Sequence, residues 1–336
     1  MFTLIKELCN LNGTSGREDR IREYIIEKTG GNEYIVDPLG NLIVHVKGKQ
    51  RAKNKVAVCA HMDEVGFIAT YITDDGLIKF DTVGGIMSAV MSGRKIIFEN
   101  GTRGVIGSKP VHLSSEEEKN TLLSEDKLFI DIGACDKNEA MKYVFPGDTA
   151  VFEADFLDTG CKIISKALDD RVGCSIMLKI LEDVPEFDCD LIFSVQEEVG
   201  TRGAGCAVNR ISPDFAIVLE STTAADVAGV PDDKRVCVQG EGAVISFMDN
   251  STLYDKELFG KMLELGKEKG IKVQVKSVVA GGNDSGIIHK SAGGVRTAAI
   301  SAPCRYIHSQ SNLLEKGDIE ACYMLAKALT EYLCNA

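Results

Sequence analysis

The sequence predicts an α/β protein: a mainly parallel sheet flanked by helices, with a small all-β domain inserted into it. Three observations carry this. From about residue 162, apolar strand-like runs (190–195, 215–219, 271–279, 295–300) alternate with helical stretches (171–182, 255–269, 313–333). That is the rhythm of strands joined by covering helices. The early run 55–60 has the same continuous apolar texture and belongs with these strands. Between about 66 and 159, five short β-like runs are separated by glycine and polar turns, with a single helical stretch near 136–143. This suits a small barrel or sandwich. The boundaries are therefore 1–65 with 160–336 for the α/β part and 66–159 for the insertion.

The elements follow in order. The opening MFTLIKELCNLNG carries Lys6 and Glu7 inside its apolar stretch, which makes an amphipathic helix rather than a leader peptide. Ser15-Gly16-Arg17-Glu18 reads as an S-x-x-E capping box opening a helix over Asp19–Lys28. EYIVDPLGNLIVHVKG gives two short strands around a Pro-Leu-Gly-Asn turn. The polar run 114–120, with Glu116, Glu117 and Glu118, reads as a solvated loop. Residues 171–182 place Val172, Ile176, Met177, Ile180 and Leu181 on one helical face.

Composition narrows the function. The 336 residues are 44% hydrophobic and 26% charged, ordinary globular usage. Thirty-eight Lys and Arg against 50 Asp and Glu give a net charge of −12, which argues against nucleic acid or an anionic membrane as partner. No apolar run approaches the roughly 18–20 residues that span a bilayer. The 11 cysteines form no C-x-x-C pair and many sit in apolar runs, as buried free thiols of a reduced, cytoplasmic protein would.

The chemistry lies where the apolar strands end. VAVCA runs into His61 and Asp63, LIFSVQ into Glu197 and Glu198, and FAIVL into Glu220. Ligands of open α/β sheets bind outside the carboxyl ends of the strands, so three strands deliver histidine and carboxylates to one edge. His61-x-Asp63 suits a metal-ligating imidazole whose other ring N–H is held by a carboxylate. Asp169-Asp170, before a helix, reads either as cap and first-turn acids or as a carboxylate bridging two cations. Side chains alternate along a strand, so Glu197 and Glu198 can divide two roles, metal ligand and general base. His308 has an apolar lead-in and a polar exit; His45, His112 and His289 fall outside the metal shell. A set of nitrogen and oxygen donors fits Zn²⁺, Co²⁺ or Mn²⁺ rather than a thiolate site.

At these residues the sequence resembles the dinuclear metallo-aminopeptidases of the tetrahedral (TET) or glutamyl-aminopeptidase-like family, some of which are labelled cellulase or endoglucanase. The likeness spans essentially the whole chain: LIKELCNLNGTSGRED, DPLGNLIV, AHMDEVGFI, GVIGSKPVHL, FIDIGACDKNEA, KALDDRVGC, SVQEEVGTRGA, AGGNDSGIIH and CRYIHSQSN. It implies that His61 is a terminal ligand of one metal with Asp63 as its orienting partner. Asp169 is then the bridging carboxylate, joined to Asp170 by a cis peptide bond. Glu197 is the general base, Glu198 a ligand, and His308 the terminal ligand of the other metal. Glu220 stands where the family usually has Asp, with Asp226 as the alternative ligand. Arg296 and Gln310 stand where Pro is common.

The resemblance further implies a zinc-peptidase-like catalytic domain, a barrel used for dimerisation, two divalent ions per subunit, and short peptide substrates cleaved at their first peptide bond. The homo-oligomer it implies is built from dimers, either stopping there or closing into a tetrahedral dodecamer. The alternatives are a metal-dependent deacylase or amidase, a non-catalytic binding protein on the same fold, and a glycoside hydrolase. The last would lean on aromatic platforms, and this chain has no Trp and 6% aromatics.

Overall fold

A computed structural model describes residues 1–113, 115, 121 and 123–336, so the run 114–120 lies outside the described residues except for Ser115. The chain opens with α1 (Phe2–Cys9) and α2 (Asp19–Lys28), followed by β1 (Glu33–Val36), β2 (Leu42–Val46) and β3 (Val56–His61). Helix α1 buries Leu4, Ile5 and Leu8, the one-sided burial an amphipathic stretch should show. The β1–β2 turn is held by the Asp37 carboxylate, which accepts from the amides of Leu39, Gly40 and Asn41 at 2.9, 3.0 and 3.1 Å. Gly40 takes φ +103° there, a value that favours glycine.

Helix α2 has its expected span but not its expected cap. The hydroxyl of Ser15 donates instead to Asp63 Oδ2 at 2.6 Å. The Glu18 carboxylate accepts from the amides of Gly16 (2.7 Å) and Gln196 (3.1 Å). A hydroxyl offered a buried carboxylate makes a charge-assisted bond, and that outbids a local cap.

The chain then leaves the sheet for a closed barrel: β4 (Gly66–Ile72), β5 (Ile78–Val83), β6 (Lys95–Phe98), β7 (Arg103–Gly107), β8 (Phe129–Asp131) and β9 (Thr149–Phe152), in the order β4-β5-β8-β7-β6-β9. Its one α-helix among the described residues is α3 (Lys137–Ala140). Its interior includes Phe67, which meets Phe80 and Phe152 edge-on with centroids 5.4 and 5.0 Å apart.

After the barrel come β10 (Leu157–Asp158), β11 (Lys162–Ser165), α4 (Leu168–Glu182), β12 (Cys189–Ser194), α5 (Ala204–Ile211) and β13 (Phe215–Thr223). The rest is β14 (Ala243–Ile245), α6 (Lys256–Lys269), β15 (Val273–Val275), α7 (Ser285–Ile288), β16 (Arg296–Cys304), β17 (Asn312–Glu315) and α8 (Lys316–Asn335). Eight strands form the main sheet in the order β1-β2-β12-β3-β13-β16-β14-β15. Its centre, β12-β3-β13-β16, is parallel; β1, β2 and the β14–β16 pairing are antiparallel.

Period-two alternation divides the sheet's residues between two covered faces. Leu191, Phe193, Ile217 and Leu219 join one core with α1, α4, α6 and α8. Ile192, Ala216 and Val218 join a second with α5 and α7. Every residue from Leu168 to Leu178 is buried, so α4 is enclosed rather than one-faced as its spacing suggested.

Two element boundaries also need correction. The helix expected over 313–333 begins at Lys316, because Asn312–Glu315 is recruited as β17 beside β11. The strand expected over 271–279 shrinks to Val273–Val275. All 11 cysteines are free and eight are buried. No helix among the described residues is long and apolar enough to cross a membrane.

Candidate metal centre

Strand β3 ends at His61, and the fully buried Asp63 follows it. The His61 Nδ1 faces the Asp63 main-chain carbonyl at 3.0 Å and its Oδ1 at 3.4 Å. A carbonyl only accepts, so Nδ1 carries the proton and Nε2 is left to face the site. The Asp63 carboxylate is used mainly elsewhere. It accepts from the amides of Glu197 (3.0 Å) and Glu198 (3.1 Å) and from Ser15. Asp63 thus ties the end of β3 to the segment after β12.

Asp169 and Asp170 open α4, and the bond between them is cis. Both have non-helical dihedrals, which separates their side chains from the helix that follows. Glu220 was expected just beyond its strand; it lies inside β13, which continues to Thr223. His308 sits on the loop after β16, its Nδ1–H donating to the Gly85 carbonyl at 2.9 Å.

These groups converge. The Asp169 Oδ1 is 3.4 Å from His61 Nε2, and Glu220 Oε1 is also 3.4 Å from that nitrogen. The other Asp169 oxygen is 3.5 Å from His308 Nε2, which is 3.2 Å from Glu198 Oε2. One carboxylate therefore stands between the two imidazoles. Donor atoms of His61, Asp169 and Glu198 lie within 4.8 Å of one another, as do those of His61, Asp170 and Glu220. Asp226 is not part of this group; it pairs with Arg305 at 2.6 Å and accepts from the Gln239 amide.

The electrostatics are severe. Burial raises the carboxyls of Glu197 and Glu220, and neighbouring acids raise them further. Burial also works to raise Asp169, but His308 and His61 outweigh it and hold that carboxyl below its usual range. Burial opposes a charged His308, yet Asp169 and Glu198 push it up to about 11. The buried Asp169 Oδ1 and Asp170 Oδ2 have no hydrogen-bond partner among the described residues. Crowded carboxylates with unpartnered buried oxygens, two imidazoles presenting Nε2, and no thiolate at the centre are a donor set that fits divalent cations of the zinc, cobalt or manganese kind.

Three features escaped the sequence reading. Asp284, at the start of α7, is buried and accepts from the Ser194 hydroxyl at 2.6 Å. Burial lifts it to about 6. The Glu64 carboxylate is held by Lys166 at 2.7 and 2.8 Å, by Arg171 at 3.3 Å and by the Gly13 amide at 3.1 Å, all buried. Beside the centre lies a cavity of about 190 Å³ reaching from Glu197, Glu198 and Glu220 to Asp249 and Lys276. The acid within GGNDSG and the lysine between Val275 and Ser277 were the available signals for the first and third.

A helix-covered, largely parallel sheet bearing a histidine–carboxylate knot at its strand ends makes this an α/β protein with a candidate metal-binding centre. The sequence profile of the M42 glutamyl aminopeptidase family matches residues 40–325. A putative aminopeptidase of Acetivibrio thermocellus is 40% identical over 339 residues, covering 99% of this chain and 98% of its own. Aminopeptidase APDkam598 from the archaeon Desulfurococcus kamchatkensis superposes with a TM-score of 0.93 at 33% identity, over 98% of this chain and 94% of its own. The Pyrococcus horikoshii TET1 peptidase, described as assembling into a tetrahedron or a large octahedral shell, gives 0.85 at 34% identity over 98% of each chain. The chain belongs to the M42 glutamyl aminopeptidase family.

Proposed function

We propose that this protein is a metal-dependent aminopeptidase that releases N-terminal residues from short peptides. The observation that carries it is the Asp169 carboxylate, 3.4 Å from His61 Nε2 on one side and 3.5 Å from His308 Nε2 on the other. His61 and Glu220 would hold one ion, Glu198 and His308 a second, and Asp169 both. When bound, the pair supplies Lewis-acid polarisation of the scissile carbonyl and lowers the pKa of a water. Glu197, half-buried at the cavity wall, takes a proton from the attacking water on its carboxylate and returns it to the leaving amine. Asp63 keeps Glu197 in place by accepting its amide N–H.

The division into a catalytic part (1–65 and 160–336) and an inserted part (66–159), a dimer-based homo-oligomer including the tetrahedral dodecamer, and a cytoplasmic location belong to the same proposal. The test compares free-amine and N-acetylated aminoacyl chromophores before and after chelation. Hydrolysis of the free amine alone, lost on chelation and restored by Zn²⁺, Co²⁺ or Mn²⁺, is expected. Equal cleavage of the blocked substrate would favour a deacylase, and activity that survives chelation would remove the metal from the mechanism.

The cavity also points to a substrate preference. Lys276 is the one Lys or Arg among its described lining residues. Its ammonium donates to the Ala280 carbonyl at 2.7 Å, and an ammonium has three N–H to give. The Asp249 carboxylate opposite is occupied by Ser251, Thr252 and Tyr254. An acidic first residue is therefore favoured. Lys276→Glu should lower the kcat/KM ratio of glutamyl over leucyl substrate by about tenfold or more, roughly 1.4 kcal/mol. An unchanged ratio would remove Lys276 from substrate selection.

A further inference from the structure

We infer that the inserted barrel is a working part of the catalytic centre: it positions His308, and through it one of the two half-sites. The inference rests on the metal site proposed above and adds an asymmetry between its halves.

The His61 half is fixed within the main sheet. His61 ends β3, and its Nδ1–H is held by the next-but-one residue of the same chain segment. Glu220 lies inside β13, paired with Ser301 of β16. Among the described residues, no barrel residue is hydrogen-bonded to either of them.

The His308 half is built differently. Its loop is irregular, with Tyr306 at φ +60° and His308 at φ +57°. Left-handed backbone is disfavoured at residues with a Cβ and persists where the surroundings over-determine it. Here part of those surroundings comes from the barrel. Just after β5, the Gly85 carbonyl accepts the His308 Nδ1–H at 2.9 Å, which fixes both tautomer and ring direction. Just after β9, the Glu153 carbonyl accepts from the Gln310 amide. Just before β6, Arg94 donates to Gln310 Oε1 at 3.4 Å. Gln310 thereby joins the histidine loop to two barrel segments.

The same turn meets the other acid of this half-site. Gly84 has φ +85°, and a Cβ added there would come within 2.8 Å of Val65 Cγ1 and 3.3 Å of Glu198 Cβ. A Cβ on Gly85 would lie 3.6 Å from His308 Nδ1. The Gly84-Gly85 turn thus lies against Glu198 and His308 together. Both glycines come from the insertion, about 220 residues from the histidine they support.

The experiment is a metal titration of the full-length, metal-stripped chain with Co²⁺, followed by calorimetry and by the visible absorption of the bound ion. Four proteins are compared: wild type, Gly84→Ala, Gln310→Ala and Gly101→Ala. The last is a control in the same barrel, at φ +92° with open space around it, so it shares the backbone penalty without touching the site. Two binding steps are expected for wild type and for the control. In Gly84→Ala one step should weaken about 10–100-fold, the usual effect of disturbing a partner behind a metal ligand, while the other stays within about twofold. Gln310→Ala should weaken the same step about fivefold, and it carries the test if Gly84→Ala does not fold. Unchanged steps in both variants, equal weakening of both steps, or the same loss in Gly101→Ala would overturn the barrel's role. Wild-type protein that takes up no ion would instead overturn the metal site itself.

Discussion

Replacing Glu197 with glutamine should leave both ions bound and lower kcat by about three orders of magnitude. Glutamine keeps the volume and can still donate and accept hydrogen bonds, but it cannot take a proton from water. General acid–base groups commonly contribute 10²–10⁴-fold, and Glu197 has two proton transfers to perform. Its position makes the test clean. The Asp63 carboxylate holds it through its backbone amide, which the substitution does not touch. Its carboxylate belongs to neither of the donor groups that close around His61. Metal content by elemental analysis and turnover of a glutamyl chromophore would be read on the same preparation. Near-normal turnover with full metal content would strip Glu197 of the role, and loss of metal would make it a ligand.

The second large effect is expected from Asp169→Asn. A carboxylate has two equivalent anionic oxygens and can face two cations; an amide offers one neutral oxygen, and its NH₂ group would point at the other ion. Disturbing a partner that merely supports a ligand costs about 10–100-fold in affinity, so removal of the shared ligand should exceed that for both ions. Metal per chain should fall below one after gel filtration, and hydrolysis should fall to background. A variant retaining two ions per chain would place the bridge elsewhere, with Asp170 the nearest candidate.

Much of this centre was legible because long apolar runs announce buried strands, and the polar residues that interrupt them stand out. VAVCA before His61 and LIFSVQ before Glu197 are of this kind, and the register of β12 on β3, with Ser194 opposite His61, brings their ends together. What was not legible depends on contacts between distant segments. Asp63 was expected to orient His61 with its carboxylate; the main-chain carbonyl stands nearer, and the carboxylate collects the Glu197 and Glu198 amides. Ser15 looked like a helix cap until a buried acid 48 residues away took its hydroxyl. Glu220 read as a strand end because its charge breaks the apolar run, yet β13 carries on through it to reach β16 along its full length. The Gly84-Gly85 pair carried no local sign of its contact with His308, since a turn glycine looks the same whatever it faces.

The ion pair between Glu64 and Lys166 joins the segment that leads into the barrel to the segment between β11 and α4 that leads back into the main fold. Exit and return are thus stapled side by side, like the two ends of a handle fixed to one plate. The part of its curve that bends back to touch the plate is the turn that meets His308 and Glu198.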